Sequence, residues 1–278
     1  MTATGWVWVA VAAVLAALDW AAVAADSRLL ERCAKPAVLL ALLAAALTAQ
    51  PRHSGVHGWL LLALCLGLIG DVALSFAPPG QPPVRQPAVT AAALQPVGTG
   101  EAAPAPQVAA APAPEVAAAP VRAGGAHRPS PPATSGAPGQ QPPSVLFATG
   151  LASFLLGHLC YCAAMLSYGN EQLSLGYGLV LVLMALLAFG HRILAGAQAQ
   201  GGNSLMIAVA AYIATLGSTV VLGIGTTSLG VAAGIVLFAF SDLMLASDRF
   251  VVRRSWAPLT VAVSYHLAQT LLLLGLVR

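Results

Sequence analysis

The sequence predicts an all-α integral membrane protein with eight transmembrane helices, and three observations carry that expectation. Of its 278 residues, 58% are hydrophobic and only 8% are charged. Its mean hydropathy is +0.83, and the apolar residues gather in runs long enough to cross the roughly 30 Å hydrocarbon core of a bilayer. Soluble domains carry about 25% charged residues; nine acids and twelve bases cannot cover the surface that a water-exposed chain of this length presents. A net charge of +3, scattered along the chain, excludes a nucleic-acid footprint.

The eight runs are Trp6–Ala25, Cys33–Ala49, Trp59–Ala77, Val145–Tyr168, Leu173–Leu194, Leu205–Leu222, Leu229–Ala246 and Trp256–Val277. The first is read as a retained helix rather than a secretory signal, because no basic residue lies between Met1 and Trp6. The second is the shortest. Between the third and fourth spans the polymer changes: 78–143 holds seventeen of the twenty prolines, mixed with Ala, Gly and Gln. Proline at that density removes backbone donors and fixes φ, and little apolar content remains to offset the entropy of ordering. The segment 78–144 is therefore expected to be a disordered tether between a first membrane part, 1–77, and a second, 145–278, which together form one membrane domain. A protein partner for the tether is not readable from its composition.

Lys and Arg counted on alternate sides set the topology. With the amino terminus outside, the cytoplasmic side holds Arg28, Arg32, Lys35, Arg192, Arg249, Arg253 and Arg254 even without the three arginines of the tether. The opposite side holds Arg52 and Arg278. Both termini are expected outside, with the tether in the cytoplasm. Eleven Arg to one Lys, with an Ala, Gly and Pro excess, point to a GC-rich bacterial genome and hence to the bacterial inner membrane.

An ionisable side chain in a spanning helix costs several kcal/mol unless it is paired or hydrated. Those present are Asp19, Lys35, Asp71, His158, Asp242 and His266. Asp19 is expected at the interface, near Trp20 and Arg28, and His266 is expected to face the interface with Arg253 and Arg254. Lys35, Asp71 and Asp242 fall at one cytoplasmic depth. One lysine cannot neutralise both acids, so a second carboxylate must be protonated, hydrated or poised, which marks a candidate site. Lys35 precedes Pro36, a favoured first helical residue, so it is expected at a helix amino terminus, suited to holding a phosphate. His158 and Tyr161 share one helix face, as do Tyr265 and Gln269. Gly67, Gly70, Gly150 and Gly157 are read as close-packing positions. The four cysteines show no paired spacing, so free thiols, no disulfide and no metal site are expected. Gly70-Asp71-Val72-Ala73-Leu74 and Ser241-Asp242-Leu243-Met244-Leu245 are alike, compatible with two four-helix halves related as parallel repeats.

The chain resembles the YhhN-type lysoplasmalogenase family of polytopic membrane proteins. The likeness rests on Lys35-Pro36, Leu68-Ile69-Gly70-Asp71, the series Phe147, Gly150, Phe154, His158 and Tyr161, then Tyr212, then Gly234, Phe238, Ser241 and Asp242, and finally Tyr265, Ala268 and Gln269. It covers everything but the first span and the tether, which departs from the family's short loop. The resemblance implies metal-free, cofactor-free hydrolysis of the vinyl ether bond of a lysophospholipid to a fatty aldehyde and a glycerophospho-ethanolamine or -choline. It implies Asp71 and Asp242 as the catalytic pair and Lys35, His158, Tyr161, Tyr212, Ser241, Tyr265 and Gln269 as substrate-binding residues. The competing expectations are a proton-coupled small-molecule or lipid transporter, since paired intramembrane acids serve carriers too, and a scaffold whose tether recruits a partner.

Overall fold

Residues 1–50, 54–77 and 144–277 are described by a computed structural model; the expected tether lies outside them. The helices are α1 (Ala3–Ala24), α2 (Arg28–Leu47), α3 (Ser54–Phe76), α4 (Val145–Tyr168), α5 (Gln172–Ala185), α6 (His191–Gly225), α7 (Leu229–Phe250) and α8 (Ala257–Val277), with a π turn, Leu186–Gly190, joining α5 to α6. No strand occurs among the described residues.

Among the described residues, six helical stretches are long and apolar enough to cross a membrane by length and composition, one of them the continuous run Gln172–Gly225 of 54 residues. As one rod this run would measure about 80 Å, more than twice the hydrocarbon thickness. It does not continue as one rod. Gly202 has φ 67° and ψ −164°, a region open essentially to glycine alone, and there the chain reverses. The arms 172–200 and 203–225 pack antiparallel. A Cβ at Gly178 would lie 2.8 Å from Val221 Cα, and one at Gly217 would lie 3.0 Å from Val182 Cγ1. The far ends meet where Glu171 N–H donates to Gly225 O at 2.9 Å and Asn170 Nδ2 donates to Leu222 O at 2.8 Å. α2 is not among the six; Arg28, Glu31, Arg32 and Lys35 occupy its first two turns. The expected count of eight spans is thus met in part.

Large apolar side chains such as Val145, Leu187 and Leu229 stay more than 80% exposed. Such an exterior suits lipid and not water, and the protein is a multi-pass membrane protein. Helices pair in sequence, and α8 fills the middle, packing on α1, α2, α3, α4 and α7. α4 has fewer neighbours, α3, α6 and α8, so the two like-sequence halves do not sit in equivalent surroundings.

Small residues let these helices approach, as is usual where lipid supplies no hydrophobic drive between helices. A Cβ at Gly70 would strike Phe154 at 2.6 Å, and one at Gly150 would strike Leu74 at 2.7 Å; these glycines join α3 to α4. Hydroxyls close the helix ends. Thr2 Oγ1 accepts from Gly5 N at 3.0 Å and donates to Thr48 O at 2.9 Å, tying the start of α1 to the end of α2. Glu171 caps α5, accepting from Leu173 N and Ser174 N at 3.0 and 2.7 Å. The Ser174 hydroxyl and these two backbone donors hold the Glu171 carboxyl below its ordinary range. A depressed carboxylate stabilises the fold above its unfolded pKa and ceases to as pH falls through its folded one, so the α5 cap weakens only on acidification.

Gly178→Ala is expected to destabilise the arm pairing by about 1–3 kcal/mol, because the added methyl meets backbone, whereas Gly176→Ala, with open space at its Cβ, is not. Unfolding temperatures of the two full-length variants in detergent check this.

Candidate functional site

α3, α4, α6, α7 and α8 place their polar residues in two adjoining groups. In the first, Asp71 on α3 is 3% exposed, and Tyr265 on α8 donates its hydroxyl to Asp71 Oδ2 at 3.0 Å. One turn further along α8, Gln269 accepts from the Tyr161 hydroxyl of α4. A Cβ at Gly67 would crowd Leu39 Cδ2 of α2 at 3.2 Å and meet Tyr265 Oη and Gln269 Nε2 in ordinary contact at 3.5 and 3.6 Å. Lys35 lies within electrostatic reach of Asp71 and Asp19, but no Lys–carboxylate pair within 4 Å forms among the described residues.

In the second group, Tyr212 of α6 donates to Asp242 Oδ2 at 2.6 Å, and His158 Nε2 of α4 stands 3.6 Å from the same oxygen. His158 Nδ1 lies 2.8 Å from Phe154 O. A carbonyl only accepts, so Nδ1 carries the proton and a neutral imidazole presents a lone pair at Nε2. At 3.6 Å Nε2 and Asp242 Oδ2 are not hydrogen-bonded, and Nε2 is buried without a partner.

Phe238 of α7 stands between the groups. Its ring makes edge contacts with His158, Tyr161 and Tyr265 at centroid distances of 4.7, 6.2 and 5.4 Å. The two carboxylates are within electrostatic reach of each other, separated by aromatic rings rather than by open space.

Beside the second group lies a cavity of about 290 Å³, near the lower edge of the roughly 300–1,000 Å³ common for ligand sites. Phe147 and Phe154 of α4, Leu186 and Phe189 of the π turn and Ile213 of α6 are among its walls. Three polar side chains reach it: Tyr212, Asp242 and Arg249. The π turn rotates the 172–200 arm where it borders this space, a common use of such bulges at sites.

Three expectations are corrected. Lys35 does not stand at a helix amino terminus: α2 begins at Arg28 and Pro36 lies inside it, because the charged turn 28–33 continues the helix, with Arg32 Nε reaching across to Ser75 O at 3.1 Å. Free backbone donors are therefore not gathered at Lys35. Asp19 is fully buried rather than interfacial, since α1 packs that face on α2 and α8. His266 is 1% exposed and accepts at Nδ1 from Trp20 Nε1 at 3.2 Å, far from the loop arginines' expected interface. Asp19 Oδ2 lies 3.9 Å from that Nδ1; both Asp19 oxygens and His266 Nε2 lack hydrogen-bond partners. Ser241 donates to Val261 O at 3.2 Å, joining α7 to α8. Arg249 and the Asp19–His266 contact were missed, and Phe238 was named only as a motif residue with no role; it is one apolar residue among many, and Arg249 reads in sequence only as a topological charge. The four cysteines are free, and no cluster of metal-ligating residues occurs among the described residues.

Residues 141–276 match the YhhN family. Two curated relatives, each named lysoplasmalogenase, from Mycobacterium bovis and Mycobacterium tuberculosis, are 30% identical over 132 residues, 46% of this chain and 50% of each relative. The chain thus spans about half the length of the curated relatives it matches. The chain is similar to the YhhN-type lysoplasmalogenases, the family its motifs point to. No solved structure matches it.

Tyr265→Phe leaves Asp71 Oδ2 buried without its donor and is expected to cost about 1–3 kcal/mol; an unchanged unfolding temperature would show that the bond contributes nothing.

Proposed function

From a chain similar to the YhhN-type lysoplasmalogenases, with a carboxylate opening into an apolar intramembrane cavity, we propose a membrane hydrolase that cleaves the vinyl ether bond of lysoplasmalogens. The products are a fatty aldehyde and a glycerophospho-ethanolamine or -choline. The observation that carries this reading is Asp242, held by Tyr212 and His158 at the wall of a cavity whose other surfaces suit an alkenyl tail.

Vinyl ether hydrolysis needs a proton on the alkene carbon, which leaves an oxocarbenium ion. Water then attacks the ether carbon, and the hemiacetal collapses to aldehyde and alcohol. Asp242 is the acid: its carboxyl sits where the cavity begins, with His158 Nε2 beside it, and Tyr212 fixes the carboxyl rotamer. Asp71 takes the complementary part, stabilising the cation and accepting the proton of the attacking water, much as paired carboxylates divide the work in glycosidases. Tyr265 orients Asp71, while Lys35 offsets the negative charge of that group without touching it. Tyr161 and Gln269 brace the α4–α8 contact behind it. No cofactor enters this scheme.

The same reading has eight spans, counting α2 and the two arms of Gln172–Gly225, in a bacterial inner membrane with both termini outside and the tether cytoplasmic. The single-chain substrate enters sideways from lipid, its tail remaining in hydrocarbon.

Purified protein in detergent is expected to release aldehyde from a choline or ethanolamine lysoplasmalogen. Asp71→Asn and Asp242→Asn, each still folded, are expected to lower that rate by about a hundredfold or more. A folded wild type that releases no aldehyde from either substrate overturns the reading.

A further inference from the structure

We propose that Arg249 is the anion-binding residue of the cavity, holding the phosphodiester of a single-chain phospholipid whose reactive end lies at Asp242. This deepens the proposed function and rests on it for the identity of the reactive group, though not for the anion.

Arg249 and Asp242 are seven residues apart on α7, two turns of helix, so they project within about 20° of each other and are separated by about 10.5 Å along the axis. Both line the one cavity. Between them its wall includes Leu245 and Ala246, which offer no polar atom to a ligand. In a lysoplasmalogen the vinyl ether carbon and the phosphorus are joined by six bonds, roughly 7 Å when extended. An arginine side chain covers the remainder.

The guanidinium lacks a counter-charge. No carboxylate comes within 4 Å of it among the described residues, and its buried Nε has no hydrogen-bond partner. Arg253 adds a second positive charge within electrostatic reach. Among the described residues the guanidinium meets two rings, Phe250 at 5.9 Å and, more closely, Phe147 at 3.7 Å from Cζ to centroid. That contact covers a face of the planar group and leaves its in-plane donors for an anion, the geometry that suits a phosphate. The mount is rigid: Gln200 Nε2 donates to Arg249 O at 2.9 Å, and Gly196 comes so close to Phe250 O that a Cβ would lie 2.1 Å from it. A charge fixed at the rim of an apolar cavity, with only aromatic rings for company, is costly unless an anion joins it.

Lys35 was the residue expected to hold the phosphate. It does not line this cavity, and it stands inside a helix rather than at its amino terminus, so Arg249 is better placed for that part.

The test is equilibrium binding to the full chain in detergent, using 1-acyl-glycerophosphoethanolamine, the monoacylglycerol of the same chain, and glycerophosphoethanolamine without a tail. Wild type is expected to prefer the phospholipid. Arg249→Gln is expected to weaken phospholipid binding by roughly 30-fold while leaving monoacylglycerol affinity unchanged, and Arg249→Lys to retain part of the preference. Loss of both lipids together in Arg249→Lys and Arg249→Gln, or of neither, overturns the assignment; so does a tailless probe that binds as tightly as the lipid. Binding as expected without aldehyde release from a lysoplasmalogen would leave the anion site standing and remove the proposed function. Aldehyde release with an unchanged KM in Arg249→Gln would do the reverse.

Discussion

A carboxylate inside a bilayer has to be met by donors that its own helix cannot supply, and the packing of this protein follows from that need. An α-helix satisfies its backbone internally, so nothing on α3 or α7 remains to receive Asp71 or Asp242. Each acid draws its donor from a different helix, Tyr265 on α8 and Tyr212 on α6. These two bonds fix which helices must be neighbours and at what rotation. Glycines then set how closely the helices approach: Gly67 lets Leu39 of α2 come close to α3, and Gly70 and Gly150 bring α3 onto α4. The polar contacts choose the partners and the small residues permit the distance.

Under the proposed function, the division of the site into two groups has a chemical meaning. A vinyl ether reacts as a base at carbon and as an electrophile one atom away, so its cleavage uses a proton donor and a water-directing group that are not interchangeable. Asp242, with a neutral His158 and a tyrosine, opens on the cavity; Asp71, with Tyr265 and the distant charge of Lys35, is enclosed. Phe238 keeps the groups apart, its ring edges meeting members of both.

Much of this was legible in the sequence, and the parts that were not have physical causes. Acids in apolar runs stand out because hydrocarbon tolerates them only for a reason, so Asp71 and Asp242 were visible at once. The chain reversal was visible as an interruption between two apolar runs, although only the structure locates it at Gly201 and Gly202. Asp19 was misread because a Trp and an Arg near a span end usually mark an interface; here α1 turns that face inward against α8. The start of α2 was misread because Pro36 is a good first helical residue, yet the charged turn before it, anchored by Arg32 on the end of α3, is also helical. Phe238 appeared only as a motif residue of the family likeness, with no role, since composition does not distinguish a phenylalanine between two polar groups from one facing lipid. Tyr212 was found by family likeness alone.

Both ends of the bundle are tied from helix to helix. Thr2 on Thr48, Glu171 on Gly225 and Asn170 on Leu222 join the start of α1, the end of α2, the end of α4, the start of α5 and the end of α6. At the other end Arg32 reaches Ser75 O and Gln200 reaches Arg249 O, beside the Gly201–Gly202 reversal. Each of these ties ends on a backbone carbonyl, which any residue supplies. Sequence change is therefore tolerated unevenly: Thr48, Leu222, Ser75 and Arg249 can be exchanged without losing a tie, whereas Thr2, Asn170, Arg32 and Gln200 cannot.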